Sequence, residues 1–366
     1  MNKKLFSLKA AVHWRVNAKV ATLAHKLDHN RRLEIANAKA VSKPLQPLSK
    51  EEKTEFDKNW KGWKSVSHEF YKAFGCPFDT GYVPNDYYDF AEHVLNLRWG
   101  AFFLQHKCNL KYVIPASNRP TTILQKIDGH YVHEDNTEIS EKEAKRILSE
   151  KDVYVCKVAM GSGGGHGVQK ITRHDEVNYD SLLKPNDLIF QEVLHQHECL
   201  AQFNPDSVNT FRLLTLNLNG QCSVLSSFLR MGAKGSFVDN LSTGGGVLVG
   251  INQDGHVNDF GINKRYEKVF KAPSGIAFEG LQIPNWPYIK EKAIGFHQHI
   301  PHANLIGWDI TLDESGEPIV IEINLDHAEI EAHQIFNGPV FGDRLQEVKD
   351  YIAVRTPQLR RAIITY

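Results

Sequence analysis

Ile306-Gly307-Trp308-Asp309-Ile310 and, beyond the turn Asp313-Glu314-Ser315-Gly316-Glu317, Ile319-Val320-Ile321-Glu322-Ile323-Asn324 read as two apolar strands joined by a polar loop. Asp309 sits on the first strand, Glu322 and Asn324 on the second. Strand side chains alternate faces, so Glu322 and Asn324 point the same way. Both acids are flanked by Trp, Ile and Val, which places them in a mostly buried setting where a charge needs a reason. Two carboxylates and an amide oxygen converging on one spot suit a hard cation such as Mg²⁺, which takes oxygen ligands and usually shares them with phosphates. A hairpin with ordinary surface charges is the plainer alternative.

Upstream, Val153-Tyr154-Val155-Cys156-Lys157-Val158 is strand-like and leads into Met160-Gly161-Ser162-Gly163-Gly164-Gly165-His166-Gly167-Val168. A glycine-rich hairpin lets backbone N–H groups approach phosphate oxygens with no side chain in the way. A strand lysine beside it adds a point charge for the same phosphates. The GK[ST] ending of a Walker loop is missing, and the glycine spacing is not that of a dinucleotide fold. Taken alone the glycines could form a flexible turn. Together with the acid–amide hairpin they suggest a nucleotide–Mg²⁺ site.

Around these two motifs the chain alternates strands and helices from about residue 110. Thr121–Gln125 is strand-like, and Ser140–Leu148 reads as a capped helix. Further strands are expected over 187–193, 210–217, 224–231 and 246–251, and residues 343–354 read as a helix. Residues 50–105 are rich in aromatics, which fits a helical unit with an aromatic core; Ser49 before Lys50-Glu51-Glu52 looks like its N-cap. Residues 5–40 lack Gly and Pro, and Leu8, Val12, Val16, Val20, Leu23 and Leu27 make one apolar stripe opposite a basic face. Such a helix can lie on an anionic membrane, but packing on the protein's own body is the favoured reading.

The 366 residues carry 43 basic and 43 acidic side chains, so the whole chain advertises no polyanion partner and nucleic acid is not expected. Residues 1–43 are nonetheless basic, and the remainder is acidic. Five scattered cysteines without CxxC spacing argue against a zinc site or a disulfide framework and fit a reducing cytoplasm. No apolar run approaches the ~18 residues of a membrane span. The oligomeric state is not legible.

The order strand lysine, glycine-rich flap, Leu188-Ile189-Phe190-Gln191-Glu192-Val193 hinge, arginine strand, Asp309 and Glu322-Ile323-Asn324 resembles the ATP-grasp superfamily. More narrowly the chain is similar to sugar-transfer-associated ATP-grasp proteins found among bacterial polysaccharide genes. Ser49–Lys53, Gly161–Val168, Ser207-Val208-Asn209-Thr210-Phe211-Arg212, Asp239–Gly246 and Gly307–Asn324 carry this closer likeness. It implies an α+β ATP-grasp fold, two lobes clasping ATP, preceded by an N-terminal helical region. The divisions expected are a basic arm over 1–48, a helical aromatic-rich region over 49–105, a small lobe with the flap over 106–190, and a large lobe with the metal site over 191–366.

By the same resemblance, Lys157 would contact ATP phosphates together with Gly163, Gly164, Gly165 and His166, the last in a flap position that is often Lys. Gln191, Glu192 and Leu194 would line the adenine cleft, and Glu198 would hold the ribose. The earlier family lysine falls on Lys126, with Gln125 as the alternative for the matching place. Asp309, Glu322 and Asn324 would bind Mg²⁺. Arg212 and Arg230 would sit at the transferred phosphoryl group or a substrate carboxylate, and Asn240, Gly244 and Gly245 would receive substrate. The reaction implied is ATP-dependent amide ligation of a small-molecule or glycan acid and amine through an acyl-phosphate. The alternatives are a kinase on the same scaffold and a non-catalytic nucleotide-binding scaffold.

Overall fold

The structure, a computed structural model, describes residues 44–96, 98–161, 167–239, 245–326 and 328–365. Residues 1–43 of the basic arm, Gly163, Gly164, Gly165, His166, Asn240 and Gly244 therefore lie outside the described residues.

Helix α1 (Lys50–Asn59) starts on a capping box: Glu52 N donates to Ser49 Oγ at 3.2 Å, and Ser49 N donates back to Glu52 Oε2 at 2.7 Å. Helices α2 (Val66–Phe74) and α3 (Asn85–Leu95) follow, then α4 (Arg98–Gln105) and a 3₁₀ turn at Lys107–Tyr112. Their aromatics do not form a closed core of their own. Phe56, Trp60, Tyr87 and Tyr88 pack with Leu214, Leu216 and Leu305, and Phe70, Tyr71 and Phe74 pack with Phe228, Leu248 and Ile262. The expected aromatic unit is thus a cover for one face of a sheet.

The first sheet comprises β1 (Thr122–Ile127), β2 (His130–Val132), β3 (Glu138–Ile139), β4 (Val153–Val158), β5 (Val168–Thr172) and β6 (Leu188–Gln191), in the order β3-β2-β1-β6-β4-β5, antiparallel throughout. Helix α5 (Glu141–Ser149), capped by Ser140, closes one face through Ala144 and Leu148 on Leu124, Tyr154, Cys156 and Phe190. Strand alternation then assigns the other face to Gln125, Val155, Lys157 and Gln191.

The second sheet runs β11-β10-β9-β8-β7-β12-β13, built from β7 (Thr210–Leu218), β8 (Gln221–Met231), β9 (Val247–Ile251), β10 (Val257–Ile262), β11 (Lys268–Val269), β12 (Leu305–Leu312) and β13 (Pro318–Asn324). Helix α8 (Trp286–Gln298) packs Trp286, Ile289 and Ala293 on Phe211, Leu213 and Trp308. The opposite face, bearing Arg212, Leu214 and Asp309, lies beneath α1–α3, α9 (Ile330–Asn337) and α10 (Leu345–Thr365). Two short helices remain: α6 (Tyr179–Leu182), between β5 and β6, and α7 (Glu198–Ala201), between the two sheets in sequence. The expected C-terminal helix runs on past Pro357.

Candidate active site

The acid–amide hairpin forms as read. Asp309 pairs with Glu322 and Gly307 with Asn324, so the three polar side chains meet on one face of adjacent strands. Neighbouring β7 places Arg212 opposite Asp309, and β8 sets Arg230 opposite Thr210. Each arginine is a single cation on an otherwise apolar strand end, and each side chain is about nine-tenths or more buried.

These charges neutralise one another. Arg212 grips Asp309 with a fork, Nε to Oδ1 at 2.6 Å and Nη2 to Oδ2 at 3.2 Å. Arg230 Nη1 lies 3.6 Å from Asp309 Oδ2 and 3.7 Å from Glu329 Oε2, and its Nε lies 3.7 Å from Asp239 Oδ2. Burial alone would raise the Asp309 carboxyl, but Arg212 and Arg230 hold it below its ordinary range. Asp239 goes the other way: burial lifts it, Arg230 opposes, and the nearby Asp309 charge lifts it further. Arg230 Nε and Glu329 Oε2 are both buried without a hydrogen-bond partner among the described residues.

The opposite wall comes from the first sheet. Lys157, Val155, Val168 and Gln191 face Arg212, Arg230, Asp309, Glu322 and Asn324 across one cavity, about 1030 Å³ with its open mouth. Burial, reinforced by the Lys107 charge, pulls the Lys157 ammonium down to about 8, against Glu322 and Asp239. Glu192 and Leu194 complete the hinge side, with Pro120, Val208 and Ile321 as apolar lining.

Nine of the sequence-nominated residues are thus brought together: Lys157, Gln191, Glu192, Leu194, Arg212, Arg230, Asp309, Glu322 and Asn324. Lys126, Glu198 and Gly245 are not among the cavity's lining. Lys126 shares strand parity with Leu124, so its ammonium turns to the helix-covered face, donates to the Leu183 carbonyl at 2.7 Å and lies over the Tyr131 ring. Glu198 is exposed in the first turn of α7. Gly245, at φ +89°, packs toward Ala233.

Two charged lining residues were missed. Lys107 opens the 3₁₀ turn and its Nζ reaches Glu322 Oε1 at 3.0 Å. No periodic pattern marks it, because the placement depends on a contact between distant parts of the chain. Asp239 adjoins the nominated Asn240 and could have been found from that neighbourhood. His297 and His299, two residues apart, are unrelated to the site: His297 is buried between Thr215 and the Ala303 carbonyl, and His299 is exposed.

Asp309, Glu322 and Asn324 supply hard oxygen donors, two carboxylates and one amide, which is the sparse set that Mg²⁺ accepts when phosphates and water fill its other positions. Among the described residues there is no cluster of three His, Cys, Asp or Glu that would suit a different metal. Arg212 and Lys107 now hold positive charge at these carboxylates. The residues fit the ion. No helix among the described residues is long and apolar enough to cross a membrane.

A profile of the sugar-transfer associated ATP-grasp family matches residues 118–350. None of the curated proteins compared with the chain matches it. Similar solved structures include D-alanyl-alanine synthetase A from Vibrio cholerae O1 biovar eltor, 14% identical over 69% of this chain and 65% of that one at a TM-score of 0.41. D-alanine-D-alanine ligase from Coxiella burnetii is 12% identical over 71% and 60% at 0.37. N5-carboxyaminoimidazole synthetase from Staphylococcus aureus, complexed with ADP, is 12% identical over 66% and 52% at 0.38. The chain spans less than two thirds of the length of each of these three structures.

Proposed function

The chain belongs to the sugar-transfer associated ATP-grasp family, and from that premise we propose that it is an ATP- and Mg²⁺-dependent carboxylate–amine ligase working through an acyl-phosphate. The superfamily consists of such ligases and some kinases. The observation that carries the reading is the single cavity in which Lys157 faces Asp309, Glu322 and Asn324.

In this reading Gln191, Glu192 and Leu194 bound the base of the nucleotide at the hinge. Lys157 and Lys107 set two ammonium groups against its phosphates. Asp309, Glu322 and Asn324 hold Mg²⁺, which when bound offsets phosphate charge as the γ-phosphoryl group moves. Arg230 lines the cavity with a buried guanidinium, a cation suited to a substrate carboxylate or to the oxyanion that forms when an amine adds to the acyl-phosphate. Arg212, locked on Asp309, positions that carboxylate and takes no part in proton transfer. The apolar lining limits water, which would otherwise hydrolyse the acyl-phosphate.

We place the acid or the amine in a cell-surface polysaccharide precursor, on the strength of the family's sugar-transfer association. Purified protein, ATP, Mg²⁺ and hydroxylamine, screened against sugar acids, test the reaction class. A hydroxamate with ADP supports ligation. A stable phosphate ester without hydroxamate assigns a kinase, and tight ATP binding without turnover assigns a scaffold.

A further inference from the structure

Asp239 lies in the connection that follows β8, whose described residues 232–239 supply Phe237, Val238 and Asp239 to one wall of the cavity. The loop is held in place by several polar contacts. Asn204 Nδ2 donates to the Gly232 and Ala233 carbonyls at 2.9 and 3.2 Å, and Gly235 N donates to Asp206 Oδ2 at 2.7 Å. These contacts hold the first half of that stretch, and Asp239 keeps 22% of its side-chain surface open.

Both described partners of Asp239 sit on one oxygen. Thr210 Oγ1 donates to Oδ2, and Arg230 Nε approaches the same atom at 3.7 Å. Among the described residues Oδ1 has no hydrogen-bond donor. Arg230, which would face the acyl oxygen, and Asp239 therefore stand side by side, one cation and one anion at adjacent points of the wall. An incoming ammonium needs such an arrangement: a carboxylate beside the carbon it will attack, to hold it and take its proton.

Building on the ligase reading, we propose that Asp239 is the catalytic base for the second half-reaction, binding the substrate ammonium and removing one proton through Oδ1. The free lone pair on nitrogen then forms the C–N bond at the acyl carbon. Arg230 faces the oxyanion, and the C–O bond to phosphate breaks, its electron pair leaving with phosphate. The second nitrogen proton goes to the departing phosphate, and Asp239 returns its own proton to solvent when the product leaves. Burial and the neighbouring Asp309 charge raise the proton affinity of Asp239, which favours this role. The charged groups around it are Arg230 on β8, Arg212 on β7, Asp309 on β12, and Lys157 on β4.

Hydroxylamine and primary alkylamines separate this role from a structural one, because hydroxylamine is already neutral near neutral pH whereas alkylamines are ammonium ions. With an acid that yields hydroxamate in the wild type, Asp239→Asn is expected to keep hydroxamate formation within about threefold and to lose at least ~100-fold of amide formation with ethanolamine or glycine. Asp239→Glu regains part of the amine rate, and Asp239→Asn loses the acid limb of the amine pH profile. Equal losses with both nucleophiles, no loss with either, or no amide from any amine in a wild type that does make hydroxamate would overturn the proposal. Absence of hydroxamate from the wild type would instead remove the ligase reading on which it rests.

Discussion

Lys107 Nζ stands 3.0 Å from Glu322 Oε1, joining a 3₁₀ turn ahead of the first sheet to the last strand of the second. The ammonium occupies a coordination position at a carboxylate nominated for Mg²⁺. It competes with the metal there, and it also contributes charge for phosphates. Lys107→Met should therefore change two affinities in opposite directions. Calorimetry without nucleotide should show Mg²⁺ binding more tightly, by up to about tenfold, and ATP binding more weakly, by about tenfold or more. Parallel changes would show that the pair only braces the fold.

The Lys157 ammonium, held down to about 8 by burial and by Lys107, titrates within an accessible range. Its charge is present below that value and fades above it. ATP affinity measured without metal is expected to weaken as pH rises through about 8, approaching tenfold per unit. Lys157→Met should bind ATP poorly and show no such slope. For stability the sign is reversed. The unfolded chain binds the extra proton between about 8 and the ordinary lysine value, so the unliganded fold gains stability as pH rises through that window.

Arg212 and Asp309 form a buried forked pair. Removing one partner of a buried pair costs about 3–5 kcal/mol, toward the lower end here because Arg230 stays 3.6 Å from Asp309, whereas replacing both with apolar groups costs far less. Arg212→Met should lower the urea midpoint strongly. Arg212→Met combined with Asp309→Leu should recover most of it, and both proteins should be inactive with ATP. Arg212→Lys keeps the charge but loses the fork, and it should fall between them.

Strand parity explains why much of this site was legible. Lys157 alternates with Cys156, Glu322 with Ile323 and Asp309 with Trp308, so each polar residue had to face away from a core neighbour. The same rule, applied to β1, turns Lys126 away and leaves Gln125 on the cavity's side of the sheet. Lys107 was illegible because a 3₁₀ turn has no face to read. Helix α8 was missed although Asn285 at its N-cap and Pro287 in its first turn mark its start; the left-handed Asn285, φ 53°, makes no side-chain cap. The thin strands β2, β3 and β11 are only two or three residues long, too short for a period.

Gly232 allows the loop bearing Asp239 to pass close over the Ser207 turn. A Cβ there would meet the Val238 carbonyl oxygen at 2.2 Å and Ser207 Oγ at 3.0 Å. The first contact is with backbone, so the loop itself must shift. Gly232→Ala is expected to leave the two sheets folded, with a loss of about 1–3 kcal/mol. Because Val238 and Asp239 line the cavity, turnover should fall about 100-fold, the scale expected of a misplaced catalytic group. Gly220→Ala, at an open turn with nothing within 4 Å, serves as the control for activity.

His297 links α8 to the second sheet. In the assignment that satisfies every partner, Nε2–H donates to the Ala303 carbonyl at 2.8 Å, Nδ1 accepts from Thr215 Oγ1 at 2.7 Å, and Thr215 in turn accepts from Trp308 Nε1. Burial drives the imidazole down to about 4, so it stays neutral in the fold while the unfolded chain takes up a proton below its ordinary value near 6.5. Its contribution is complete above about 6.5 and is lost as pH falls toward 4, at up to ~1.4 kcal/mol per unit. His68 and His333 are depressed in the same direction and add to the acid sensitivity. His297→Gln should lower stability at neutral pH by about 1–3 kcal/mol through the unsatisfied network. It should also flatten the decline between pH 6.5 and 4 relative to the wild type. Urea unfolding across that range measures both effects. A variant that declines as steeply as the wild type would show that His297 is protonated inside the fold at no cost.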